Sequence, residues 1–286
     1  MAGTYSGTLP AMQAHPWNDT FEWQDHRGPF TTLSPEQAAQ FDEQGFVVVP
    51  DLVDAATVAA VRDDLDGLEA EVDAFLQTRE EGRFSIAETG ALTIAVHAVM
   101  RSEAAKALSA HPAILGLCAD LIGPDVRLYW DQAVYKKTEK PRRVPWHQDN
   151  GYTYVEPQEY LTVWLALTDA TEENGCPEVA PGAHRRGTLL HHYIDPLGWE
   201  CLEEGTPSVS APVKAGGAVV FSSLTPHRTG PNLTDEVRKA YILQYCPSDA
   251  EVLQGDPGAG PAVTRVPCTA PERQFEVLRA GDPVAV

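Results

Sequence analysis

The chain changes its hydrophobic rhythm part-way along. Up to about residue 125, apolar residues recur at three- and four-residue spacing, the period of a helix with one buried face. Val58, Val61, Leu65, Leu68 and Val72 follow it behind Asp54, and Ala105, Leu108, Ile114, Leu117 and Leu121 follow it further on. These patterns predict a long helix from Asp54 to about Phe75 and another from about Ser102 to Ile122. A shorter helix starts at Ser34-Pro35-Glu36-Gln37, with Ser34 as N-cap, Pro35 in the first turn and Gln37 closing a capping box, and ends at Gly45. Phe46-Val47-Val48-Val49 then reads as a short buried strand. The many acidic residues of the long helix read as a solvated face.

From Val126 the texture is that of strands. Runs rich in β-branched and aromatic residues, Val126 to Tyr135, Tyr160 to Leu167, Gly217 to Ser222 and Lys239 to Cys246, are separated by Gly, Pro and Asn turns. Helices first and short strands after predict an α+β fold whose second half is a β-sandwich or barrel. Residues 1–32, with Pro10, Pro16 and Pro29, are expected to form an arm anchored by Trp17, Phe21 and Trp23. Residues 33–286 are expected to form one domain, with helical support over about 33–125, a strand core over about 126–250 and a C-terminal tail.

Composition narrows the class. A hydrophobic content of 43% and a charged content of 22% over 286 residues suit a globular protein with a sizeable core. A formal charge of -20 argues against nucleic acid and against an anionic membrane surface. No charged and apolar leader opens the chain, and no apolar run approaches the ~18 residues of a membrane span. Five cysteines, without CxxC or a tight cluster, read as reduced thiols in a cytoplasmic protein.

The chemistry concentrates at Trp146-His147-Gln148-Asp149-Asn150. On a strand, positions i and i+2 share a face, so His147 and Asp149 can meet one metal ion. His227, about 80 residues on, follows the apolar strand Gly216 to Phe221 and would complete a set of two histidines and one carboxylate, which suits a divalent first-row metal and leaves positions open. A solvated loop histidine beside an ordinary aspartate is the plain alternative for the pair alone. His97 and His111, in the helical half, read as structural or surface residues. Arg238 heads a strand eleven residues past His227 and, beside a metal, offers a fixed fork for a carboxylate, with Thr229 adding a hydroxyl. Otherwise Arg238 is a surface cation.

The ordered set Asp131 to Lys136, Val144 to Asn150, Thr162 to Leu167, Glu173-Asn174-Gly175-Cys176, Pro181-Gly182-Ala183-His184, and His227 with Arg238 resembles the phytanoyl-CoA dioxygenase family over about residues 35–247. The resemblance implies a double-stranded β-helix, the cupin-like jelly roll, buttressed by the N-terminal helices. It also implies an Fe(II)- and 2-oxoglutarate-dependent dioxygenase that uses O2, with iron on His147, Asp149 and His227. The distal carboxylate of 2-oxoglutarate would then pair with Arg238 and Thr229, with Trp164 lining that pocket. Gln132, Val134 and Lys136 share one strand face by parity, expected to point inward, Gln132 toward the cosubstrate and Val134, Lys136 and Trp146 toward the substrate. Ala183 stands where the family usually has serine, and His184 reads as loop support. Because Asp149 is retained, hydroxylation of a small molecule is the expected outcome. A basic cluster, Lys136, Lys137, Lys140, Arg142, Arg143, Arg185 and Arg186, reads either as a rim attracting an anionic substrate or as a solvated loop. Two alternatives stay open: a jelly-roll metalloenzyme that does not use 2-oxoglutarate, and a binding module of the same fold.

Overall fold

The computed structural model describes residues 12–261 and 264–286. Pro10 and the start of the expected arm lie outside them. Helix α1 spans Pro35–Gln44 with the full capping box at Ser34 and Gln37, and it stops at Gly45, whose left-handed φ of 83° few residues other than glycine adopt. Strand β1, Phe46–Val49, follows at once. Helix α2, Ala55–Gln77, is capped by the Asp54 carboxylate, and Val58, Val61 and Leu65 are buried. The expected third helix is two: α3, Glu103–Ser109, and α4, Pro112–Leu121. The break falls where Pro112 has no N–H to give, and His111 caps the new helix by accepting from Ala113 N–H at 3.3 Å.

The strands that position the site are β2, Leu92–Val96; β3, Val126–Lys136; β4, Leu161–Ala166; β5, Pro177–Val179; β6, Ala218–Ser222; β7, His227–Thr229; and β8, Arg238–Pro247. The main sheet runs β1-β6-β4-β8-β3-β2, each neighbour antiparallel. Two short strands, Ala87–Glu88 and Arg83–Phe84, extend it past β2. The helical pattern ends before this hairpin, and the sequence reading placed no strand there. A smaller sheet joins Val209–Ser210, β5 and β7, and the two sheets enclose a jelly-roll interior.

Both faces of the main sheet are covered, which explains its nearly unbroken apolar runs. Leu161, Val163, Leu165, Ala218, Val220, Tyr241, Leu243 and Tyr245 pack with Val58, Val61, Leu65, Leu108, Ile114 and Leu117 of the helices. Trp164, Ala166, Val219, Phe221 and Ala240 face the interior with Val179 of the small sheet. The acidic side of α2 is not simply solvated. Asp66 accepts from Tyr135 Oη at 2.6 Å and Lys239 Nζ at 2.8 Å, Glu69 holds Lys137 at 2.5 Å, and Asp64 accepts from Ser102 at 2.6 Å. The helix is thereby clamped to the sheet it covers. Of the arm, Trp23 is buried, and Trp17 Nε1–H donates to the Gly260 carbonyl at 2.8 Å. Among the described residues no helix is long and apolar enough to cross a membrane.

Gly45 also joins α1 to the rest, because its carbonyl accepts from Ser222 N–H at 3.1 Å and from Thr225 Oγ1–H at 2.7 Å. A Cβ there would lie 2.5 Å from Thr225 Oγ1 and 2.6 Å from His184 Nδ1. Gly45→Ala should therefore lower unfolding free energy by more than about 1 kcal/mol in urea denaturation. A variant as stable as the parent would show that this contact is slack.

Candidate active site

His147 and His227 are joined before their side chains are considered. Their backbones form an isolated antiparallel bridge, with His147 N–H to His227 O at 3.0 Å and His227 N–H to His147 O at 2.8 Å. Residues so paired share a face, and the imidazole centroids lie 4.2 Å apart. Each Nδ1 faces the carbonyl two residues upstream, Pro145 O at 2.8 Å and Thr225 O at 3.0 Å. A carbonyl only accepts, so each Nδ1 carries a proton, and in the neutral ring Nε2 is the nitrogen left with a lone pair. Burial, reinforced by the neighbouring His227, holds the His147 pKa well below the ordinary histidine range.

Asp149 joins them from a different element. The expected strand does not continue through it, since Asp149 opens a short helical turn, Asp149–Tyr152. Even so, the ligand atoms of His147, Asp149 and His227 all lie within 4.8 Å of one another. Asp149 Oδ1 is 3.8 Å from His227 Nε2, while Oδ2 accepts from Thr162 Oγ1 at 2.5 Å. Between the ligands, Gln148 turns the other way and locks the loop, donating to Gly187 O at 3.0 Å and Leu224 O at 2.5 Å and accepting from Leu189 N–H at 2.6 Å. Its own N–H is received by His191 Nε2 at 3.0 Å. Two imidazole nitrogens and one carboxylate oxygen are a donor set suited to a divalent first-row metal.

The trio opens into a cavity of about 490 Å³. Arg238, Thr229, Trp164, Gln132 and Val134 all line it, as the sequence suggests. Arg238 is 1% exposed, its guanidinium lies 5.0 Å over the Trp164 ring, and none of its three nitrogens has a hydrogen-bond partner among the described residues. Burial brings its pKa down to about 10. Thr229 is positioned by Lys136, whose ammonium donates to Thr229 Oγ1 at 2.8 Å and to the carbonyls of Thr229 and Gly230.

Two expected substrate contacts sit elsewhere. Lys136 points inward, yet it is fully buried against Thr229 and does not line the cavity. Trp146 is turned away, packed among Ala180, Ala183, Leu189 and Leu202 with the Arg228 guanidinium 4.7 Å from its ring. The reason is alternation along an extended chain: His147 takes the cavity side, so its neighbour takes the other. Five of the seven basic residues of the cluster are engaged by carboxylates, Lys137 by Glu69, Lys140 and Arg142 by Glu88, Arg143 by Glu200 and Arg185 by Asp25. His184 is a supporting residue, buried edge-on to Trp23 at 4.4 Å and donating through Nε2 to Asp42 O at 3.1 Å. Sequence reasoning missed Thr162, although it shares strand parity with Trp164. It also missed Leu92, Ile94 and Val96 of β2, and Gln244.

Comparison with known proteins supplies the kinship. The family model for phytanoyl-CoA dioxygenase matches residues 41–240. The chain belongs to the phytanoyl-CoA dioxygenase family. A phytanoyl-CoA dioxygenase of Arabidopsis thaliana is 34% identical over 36% of this chain and 38% of its own length. In Danio rerio, phytanoyl-CoA dioxygenase domain-containing protein 1 is 28% identical over 60% of this chain and 63% of its own. The chain thus spans less than two thirds of either relative. Among solved structures, the non-heme α-ketoglutarate-dependent carbocyclase SnoK from nogalamycin biosynthesis matches with a TM-score of 0.66 and 26% identity over 91% of this chain and 97% of its own. The epimerase SnoN in complex with Fe3+, α-ketoglutarate and nogalamycin RO matches with a TM-score of 0.64 and 25% identity over 84% and 97%. The jelly roll is the fold of this family.

Two outcomes follow. Thr162→Val frees Asp149 Oδ2 and should weaken Fe(II) binding by roughly 10- to 100-fold in an anaerobic titration, whereas unchanged affinity would remove Thr162 from the site. Burial lowers the pKa of His184 to about 4, so between the ordinary value of about 6.5 and 4 the unfolded chain binds the proton and stability falls as pH falls. His184→Gln should flatten that slope when unfolding is measured at pH 7 and pH 5, and an undiminished slope would contradict the assignment.

Proposed function

We propose that this chain is an Fe(II)- and 2-oxoglutarate-dependent dioxygenase that hydroxylates an unactivated C–H bond of a small molecule, releasing succinate and CO2. The observation that carries the reading is Arg238, a buried guanidinium without a hydrogen-bond partner among the described residues, lining the same cavity as the His147, Asp149 and His227 ligand atoms. Burying a charge unpaired costs several kcal/mol, so such a group implies an anionic ligand. A diacid that chelates a metal at one end and carries a carboxylate at the other meets both halves of the requirement. A jelly-roll metalloenzyme that does not use 2-oxoglutarate, or a non-catalytic binding module of the same fold, would have to bring another anion to Arg238.

In this reading His147 and His227 bind iron through Nε2, each aimed by its Nδ1–H bond to a backbone carbonyl. Asp149 binds through Oδ1 while Thr162 keeps Oδ2 occupied. Iron held by these three residues would supply the oxidising chemistry. Arg238 and Thr229 take the distal carboxylate, Trp164 packs against the guanidinium, and Gln132 contacts the cosubstrate. The apolar walls exclude water and hold the substrate carbon. The SnoN relative, solved in complex with Fe3+ and α-ketoglutarate, supports iron and 2-oxoglutarate as the groups this cavity takes. Where the substrate is held would decide between hydroxylation and the ring closure or epimerisation that the carbocyclase SnoK and the epimerase SnoN are named for. A cytoplasmic setting belongs to the same reading, supported by five free thiols.

Anaerobic addition of Fe(II) and 2-oxoglutarate should give the weak visible charge-transfer band of the chelate, and its absence from the wild type would remove the proposal. Arg238→Ala should weaken 2-oxoglutarate binding by about 30-fold or more. Asp149→Ala should lose iron affinity and hydroxylation together, and a fully active variant would contradict its place as a ligand.

A further inference from the structure

Each charged side chain lining the cavity has a partner or an assigned one. Asp149 belongs to the ligand trio, Arg238 to the diacid, and Arg228 is held by the Glu178 carboxylate at 2.8 and 3.1 Å. The remaining wall is uncharged and mostly apolar or aromatic, with Ile94, Val134 and Ile242 from the main sheet beside Tyr129, Trp130 and Tyr160, and with Ser85, Thr153, Gln132 and Gln244 among its polar members. Phe84, Val96 and Tyr152 also line the cavity while remaining 59%, 48% and 45% exposed. They carry the apolar lining out to its mouth, and an exposed apolar surface of this kind marks a binding site.

An anionic head buried here would need a cation to pair with. Among the described lining residues none is left; of the neighbouring basic side chains, Lys136 is taken up by oxygens of Thr229 and Gly230, and Lys137, Lys140, Arg142 and Arg143 by Glu69, Glu88 and Glu200. The formal charge of -20 opposes an anion further. The carboxamides remain. Gln132 Oε1 accepts from Trp130 Nε1 at 3.1 Å. Gln244 is 7% exposed, lines the cavity and makes no side-chain hydrogen bond to a described residue. The Gln244 carboxamide opens onto the cavity, and a group that both donates and accepts matches a hydroxyl or carbonyl. Gln244 pairs in register with Thr162, whose hydroxyl holds Asp149, so a group bound to it sits beside the ligand trio.

We propose that the substrate is an uncharged, mainly hydrocarbon or aromatic-ring molecule, seated by one oxygen function on the Gln244 carboxamide. This deepens the oxygenase reading and rests on it for the occupancy of Arg238. Gln244 is a specificity-determining residue, and Trp130, Tyr129 and Tyr160 supply the faces on which rings pack.

The probes are 1-naphthol, naphthalene and 1-naphthyl phosphate, titrated anaerobically into the full chain with Fe(II) and saturating 2-oxoglutarate. Tryptophan fluorescence reads probe binding and the charge-transfer band reads the chelate. Naphthol should bind at least about 10-fold more tightly than the phosphate ester and about 3- to 10-fold more tightly than naphthalene. Gln244→Leu, or Gln244→Met should the first fold poorly, should erase the advantage of naphthol over naphthalene. The order of naphthol over phosphate should persist in Arg238→Ala, where the ester has no guanidinium to borrow. A phosphate ester bound as tightly as naphthol, a naphthol advantage that survives both Gln244 variants, or no naphthol binding at roughly millimolar concentration overturns the proposal. A missing band with the naphthol preference intact overturns the oxygenase reading and leaves this one standing.

Discussion

Two backbone hydrogen bonds between His147 and His227 are what the site depends on. They bring together segments about 80 residues apart in the chain, and because directly paired residues share a face, they set both imidazoles on the cavity side. Side-chain chemistry then refines what the backbone has arranged. Each ring is turned by its own upstream carbonyl, and Asp149 is turned by Thr162. No ligand residue relies on its own rotamer preference alone.

The main sheet makes this arrangement possible by being buried on both faces. One face docks on α1 to α4 and keeps the sheet rigid, while the other carries Arg238, Trp164 and Gln244 into the interior. Two cations, Lys136 and Arg238, are paired in register at one end of that interior. Their separate fates show how little of a side chain's chemistry follows from its address. Lys136 is satisfied by three oxygens of Thr229 and Gly230, and Arg238 by none among the described residues.

Much of this was legible in the order of residues. Periodicity located α1, α2 and the four long strands, because their apolar spacing comes directly from burial. Spacing and resemblance located His147, Asp149, His227 and Arg238. What escaped had tertiary causes. The hairpin before β2 consists of strands only two residues long, too short to show a period. The turn at Asp149 follows the loop locked by Gln148 and not local propensity. Trp146 is a large aromatic beside a ligand and looks like a cavity residue until alternation assigns it to the opposite side. Thr162 is chemically modest, and only its contact with Asp149 marks it.

The junction at Gly45 reaches further than its place near the start of the chain suggests. Its carbonyl holds Thr225, and the Thr225 carbonyl in turn aims His227. The first helix and the second imidazole are therefore mechanically one piece. A chain shortened past Gly45 would lose the bond that fixes Thr225, and with it a restraint on one of the two imidazoles, so an early helix far from the cavity in sequence belongs to the frame of the reaction centre.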